Sequence, residues 1–173
     1  ERLLEKFEGN LSGLALLPPS KDDDKKEQVN VLIIIDDSDS KKMDKDELRE
    51  KVAEVVKKIA EGVNKSINPL TVLVTDIWQN CYDSKYDLME IIANSATVYD
   101  KGILASLKLA EIHKAMVIKK FEKYIVSYVL VGSLVQGRAS PESDVDTFVV
   151  IDDTDVKKMT RAELKDKLRS III

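Results

Sequence analysis

The chain has 173 residues, 44% of them hydrophobic and 34% charged, with a net charge of −4. That length makes one domain, or two small ones, with a real core, and the composition excludes a disordered chain. The acidic balance argues against a broad nucleic-acid-binding surface, one cysteine excludes an intrachain disulfide and fits a reducing cytoplasm, and no apolar run approaches the ~20 residues that span a bilayer.

Taken in chain order, a leading helix runs into an apolar strand at Ser12–Leu17, then a charged loop around Lys21–Lys26. A second strand, Val29–Ile35, is rich in the Val and Ile that suit a pleated surface. An Asp-rich turn follows, then a helix opened by the capping box Asp44-x-x-Glu47. Leu48, Val52, Val55, Val56 and Ile59 share one face of that helix, so it packs on a sheet. Gly62 and Pro69 end it, and Leu70–Val74 makes a third strand closing on Thr75-Asp76. Helices over about 84–94 and 103–122 come next. A strand at Ile125–Val131 follows, then the turn Gly132-Ser133, a strand at Val145–Ile151, a second Asp-rich turn and a helix opened by Thr160-x-x-Glu163. Strands alternating with helices predict an α/β domain. Cys81, beside Trp78 and Tyr82, reads as a half-buried thiol rather than a nucleophile. His113 stands in a helix with no second His or Cys at ligand spacing and reads as a solvated or satisfied side chain.

The chain also repeats itself. Residues 35–52 (IDDSDSKKMDKDELREKV) and 151–168 (IDDTDVKKMTRAELKDKL) are identical at ten of eighteen positions, at an offset of 116. Upstream the offset is 114: Lys6-Phe7-Glu8 resembles Lys120-Phe121-Glu122, and Leu14–Leu17 faces Tyr128–Val131. The expected organisation is a first copy over residues 1–101 and a second over 102–173, made of a connecting helix and the N-terminal part of the same unit. The start at Glu1 and the Ile171-Ile172-Ile173 end read as cuts inside a longer protein.

Chemistry concentrates between residues 131 and 151. A glycine directly after an apolar strand lets backbone N–H groups approach a ligand, and such turns suit phosphate. Asp144 and Asp146 lie two apart in an extended segment, so their carboxylates project to one face. Two neighbouring carboxylates repel unless they share a proton or a cation, and Mg2+ favours carboxylates together with phosphate oxygens. A phosphate cradle beside a metal platform is the minimum apparatus for phosphoryl or nucleotidyl transfer.

The run Gly132-Ser133-Leu134-Val135-Gln136-Gly137-Arg138-Ala139-Ser140-Pro141-Glu142-Ser143-Asp144-Val145-Asp146 resembles the signature of minimal nucleotidyltransferases of the DNA polymerase β superfamily, most closely the small archaeal predicted ones. The resemblance implies a nucleotidyltransferase fold of the α/β (α+β) class, a small mixed sheet with helices packed on it, here in two tandem copies with the second truncated. It implies that Gly132 and Ser133, with Gly137 and Ser143, bind the triphosphate of ATP or another NTP. It also implies that Asp144 and Asp146 are the catalytic ligands of Mg2+ (or Mn2+). The implied activity moves NMP to an unknown acceptor, a protein or a nucleic acid among the candidates, and releases pyrophosphate. The alternative it leaves is an inactive protein of this fold, antitoxin-like or nucleotide-sensing.

The first copy departs from the signature. Pro18-Pro19 replaces Gly132-Ser133, Gln28 replaces Asp144 and Asn30 replaces Asp146, so it is expected to be non-catalytic. Asp76, after the third strand, is expected at the place of the family's third carboxylate. Its counterpart in the second copy would fall outside these residues, which predicts negligible turnover by residues 1–173 alone. Asp36, Asp37 and Asp39, with Asp152, Asp153 and Asp155, recur in both copies and read as structural turns. The second copy's open sheet edge and apolar helix face are expected to be buried against the first copy or against another chain, as in a homodimer.

Overall fold

A computed structural model describes residues 1–19, 28–40, 43–121, 124–135, 140, 142–154 and 157–172. It is a mixed α/β structure. Helix α1 (Arg2–Phe7) and a short 3-10 turn lead into β1 (Leu11–Leu16), and β2 (Val29–Ile35) returns antiparallel to it. Helix α2 (Lys45–Glu61) crosses over to β3 (Ile67–Leu73), which runs parallel to β2. Asp44 starts α2 by accepting the N–H groups of Asp46 and Glu47, whereas Glu47 pairs with Lys51 at 2.6 Å instead of reaching back. That capping box is therefore one-sided. Pro69 lies inside β3, opposite Val31, and is tolerated because β3 is the edge of a sheet ordered β3-β2-β1-β4.

Two elements were not legible in the hydrophobic pattern. Helix α3 (Val74–Tyr82) begins directly at the end of β3, and β4 (Ala96–Asp100) pairs antiparallel with β1 after α4 (Asp87–Ala93). Asp100 then caps α5 (Ile103–Phe121), its carboxylate accepting the N–H groups of Gly102, Leu104 and Ala105. The alternation along β2 divides the core. Leu32 and Ile34 face α3, α4 and α5, while Ile33 and Ile35 lie with Val52 and Val56 of α2.

The C-terminal segment forms an antiparallel pair, β5 (Ile125–Val131) and β6 (Asp146–Ile151), followed by α6 (Arg161–Ile172). Its geometry repeats that of β1–β2 in detail. Leu16 faces Val31 and Leu130 faces Thr147, and each pair shifts register at the same place, between Leu11 and Gly13 and between Ile125 and Ser127. The N–H of Asp36 reaches the carbonyl of Asn10 at 2.7 Å, and that of Asp152 reaches Tyr124 at 2.8 Å. The carboxylates of Asp36 and Asp152 each accept the N–H two residues on, both at 2.9 Å. These matches follow the offsets of 114 and 116. Thr160 and Glu163 form the full reciprocal capping box of α6.

Part of the second segment is buried against the first. Leu134 is 1% exposed within the core that holds Leu32, Ile34 and Leu104, and Leu130 and Val145 pack on the same core. The outer face of the hairpin is not covered: Phe148 is 65% exposed and Val150 47%, where Leu32 and Ile34, their counterparts, are 0%. Among the described residues no helix is long and apolar enough to cross a membrane.

Candidate functional site

Strand β5 ends at Val131, which is paired across the hairpin with Asp146, the first residue of β6. Gly132 then turns the chain with φ of +79°, a conformation that side chains rarely adopt. An added β-carbon there would lie 2.2 Å from the Oδ2 of Asp146. The register explains this. The strand pairing brings the Asp146 carboxylate over the backbone of the turn, and only glycine leaves it room.

Ser133 follows in the same turn, partly buried, and Leu134 anchors the turn in the apolar core. Sequence reasoning passed over that anchor, although its signal is simple: one apolar residue placed directly after Gly-Ser. Asp144 precedes β6 rather than lying in it, so the expected strand start at Val145 shifts to Asp146. Exposure nevertheless alternates from residue 142 to 150, with Asp144 and Asp146 both exposed and Val145 packed inward. The two carboxylates thus share the solvent side of one extended segment. Ser143 closes a local turn, its Oγ accepting the N–H of Ser140 at 2.8 Å and its own N–H donating to the carbonyl of Ser140. Gly137 lies outside the described residues.

This site fits a hard divalent cation. Its donors are carboxylate oxygens, and one carboxylate sits against a cradle that a β-carbon would fill. Among the described residues no group of three or more His, Cys, Asp or Glu side chains could hold a metal, so the candidate rests on the Asp144–Asp146 pair.

The first segment holds different chemistry at the matching place. Asn30, the counterpart of Asp146, accepts a hydrogen bond from Asn68 at 2.8 Å. Asn68 is the residue of β3 level with Asn30. This corrects the expectation for Asp76. Asp76 lies at the opposite end of β3, at least about 16 Å further along at ~3.3 Å per residue. There it binds Arg49 at 2.7 Å and accepts the N–H of Leu73, which joins α2 to the start of α3. The expected third carboxylate is therefore a helix-joining residue, and the position beside the Asn30 site is an amide.

Of the other acidic residues, Asp36 and Asp152 hold turns through the N–H two residues on, and Asp155 lies outside the described residues. Asp37 is buried and accepts both the N–H and the hydroxyl of Thr75, tying the end of β2 to α3. His113 is satisfied, its Nδ1 2.8 Å from the Tyr128 hydroxyl. The Cys81 thiol is raised above its ordinary range by burial.

Residues 111–172 match the family model described as a nucleotidyltransferase domain. The match takes in the end of α5, the β5–β6 hairpin with its Gly132 turn, and α6, and it assigns a nucleotidyltransferase-type domain to that stretch. No curated protein and no solved structure matches the chain.

Proposed function

We propose that the nucleotidyltransferase-type domain of residues 111–172 binds a nucleoside triphosphate together with Mg2+, and that it serves transfer of NMP to an acceptor hydroxyl or side chain with release of pyrophosphate. One observation carries the reading: the Asp146 carboxylate lies against the Gly132 turn. A carboxylate beside a phosphate cradle would repel the phosphate unless a cation stood between them. Asp144, exposed on the same side, supplies the second anionic donor. Mg2+ held there would neutralise charge on the transferring phosphoryl group and lower the barrier to attack. The turn's backbone N–H groups and the Ser133 hydroxyl orient the triphosphate, and Leu134 fixes the turn by its burial.

In this reading residues 1–101 are a degenerate copy of the same unit, and residues 102–173 begin the copy that carries the site. The shared register, the shared bulge and the shared Asx turns of the two hairpins support that duplication. Prolines 18 and 19 and the Asn30–Asn68 amide pair leave the first copy neither a phosphate cradle nor an anionic metal site. With two carboxylates alone among the described residues, residues 1–173 are expected to bind nucleotide but to turn it over negligibly.

Paramagnetic broadening tests the site. With Mn2+ and ATP added together, the amide signals of Gly132, Ser133 and Asp146 should disappear while those of Asn30 and Asn68 persist. Broadening centred on Asn30 or on the Asp36–Asp37 turn would overturn the assignment.

A further inference from the structure

Helix α5 meets the β5–β6 hairpin through a polar contact. His113 places its Nδ1 2.8 Å from the Tyr128 hydroxyl, with the two rings tilted by 55° and their centres 5.7 Å apart. Both side chains are half-buried. The same helix is fixed in the apolar core by Leu104 and Leu107, so His113 stands on a rigid frame.

From Tyr128 the contact runs on toward the site. Tyr128 is level with Val149, and Leu130 with Thr147, so Tyr128 and Thr147 are diagonal neighbours on one face of the hairpin. Burial raises the Tyr128 hydroxyl and keeps it protonated. The Thr147 hydroxyl acts on the same oxygen in the opposite sense, as a hydrogen-bond donor does. One peptide bond joins Thr147 to Asp146, whose carboxylate lies against the Gly132 turn.

The internal repeat separates what the hairpin needs from what the site needs. At the offsets of 114 and 116, Tyr128 and Thr147 correspond to Leu14 and Val31. The first segment builds the same hairpin, with the same register shift, from those apolar residues. A tyrosine and a threonine are therefore not required for the fold of the pair. They stand in the hairpin that carries Asp146 and are absent from the one that carries Asn30.

We propose that His113 and Tyr128 are positioning residues for Asp146. The Tyr128 hydroxyl donates to His113 Nδ1 and accepts from Thr147. That chain ties the start of β6 to α5 and fixes the angle at which the carboxylate meets the turn. Outer contacts of this kind orient a metal ligand and strengthen its hold on the ion. The proposal rests on the Mg2+–nucleotide reading above.

Tyr128→Phe removes the hydroxyl and keeps the ring. The variant should unfold cooperatively and displace the amide signals of Asp146 and Thr147 in the absence of nucleotide. It should also weaken Mg2+-dependent ATP binding about five-fold, the factor that one neutral hydrogen bond carries. His113→Leu should do the same, and the double variant should bind no more weakly than either single one. His113→Asn, whose side-chain carbonyl takes the place of Nδ1 as acceptor, should restore the parent's affinity and signals. The proposal is overturned if the Asp146 signals stay in place in Tyr128→Phe, if that variant binds as tightly as the parent, or if His113→Asn behaves like His113→Leu. A parent chain that binds no ATP with Mg2+ present overturns the functional reading instead, and the Asp146 signals then decide the positioning role alone.

Discussion

Gly132 is where backbone conformation and carboxylate placement meet, and it makes a sharp residue-scale test. Gly132→Ala forces a side chain into the left-handed region, a cost of about 1–2 kcal/mol, and sets its β-carbon against Asp146. The variant should show a lowered denaturation midpoint and no metal-dependent nucleotide affinity. Full affinity in a folded Gly132→Ala protein would mean that the turn does not cradle phosphate. Glu163 gives a pH test. The N–H and hydroxyl of Thr160 hold its carboxyl below the usual range. A carboxyl depressed by folding stabilises the folded state above its unfolded pKa, and that contribution is lost as pH falls through the folded value. Helix α6 should therefore fray on acidification in that window, as read by 13C shifts, and Thr160→Ala should flatten the dependence. Cys81 is pushed up chiefly by burial, so its alkylation at neutral pH should be slower than that of a free thiol and should rise at alkaline pH.

Among the elements, the Arg49–Asp76 bridge decides between a structural and a catalytic aspartate. Asp76→Ala should cost on the order of 1 kcal/mol, since Arg49 is nearly half exposed and solvent screens the pair, and should leave metal-dependent nucleotide binding unchanged. A lost metal response in that variant would restore Asp76 to the site. The strands β2, β5 and β6 were readable because Val and Ile runs are bounded by turn residues, and β1 because its apolar Leu and Ala residues run up to Pro18-Pro19. The Asp-rich turns were readable because they recur. Helix α3 was hidden because β3 runs into it without a turn signal, so Val74-Thr75-Asp76 reads as a strand end. Strand β4 was hidden because its five residues are mostly exposed and, among the described residues, pair with β1 alone, leaving no apolar alternation to see. The misplacement of Asp76 has the same root. Strand length was legible, but the level at which β3 stands beside β2 is set by parallel pairing, which no local pattern encodes.

For the molecule as a whole, what was legible was placement: Gly132 and Asp146 stand at the facing ends of two adjacent strands, as the pairing of Val131 with Asp146 has them, while their binding role is the proposal made above. What could not be read was the way the site is anchored. Leu134 and Val145 seat it on the core of the first segment, so residues 1–121 are the support on which the hairpin stands. The central claim is that metal and nucleotide meet at Asp144 and Asp146. Calorimetric titration of ATP into the chain, with and without Mg2+, beside the Asp144→Asn/Asp146→Asn variant, tests it most directly. The account predicts one nucleotide bound per chain, only when Mg2+ is present, and loss of that binding in a double variant that still unfolds cooperatively. Undiminished Mg2+-dependent binding in the double variant, or none in the parent chain, would contradict it.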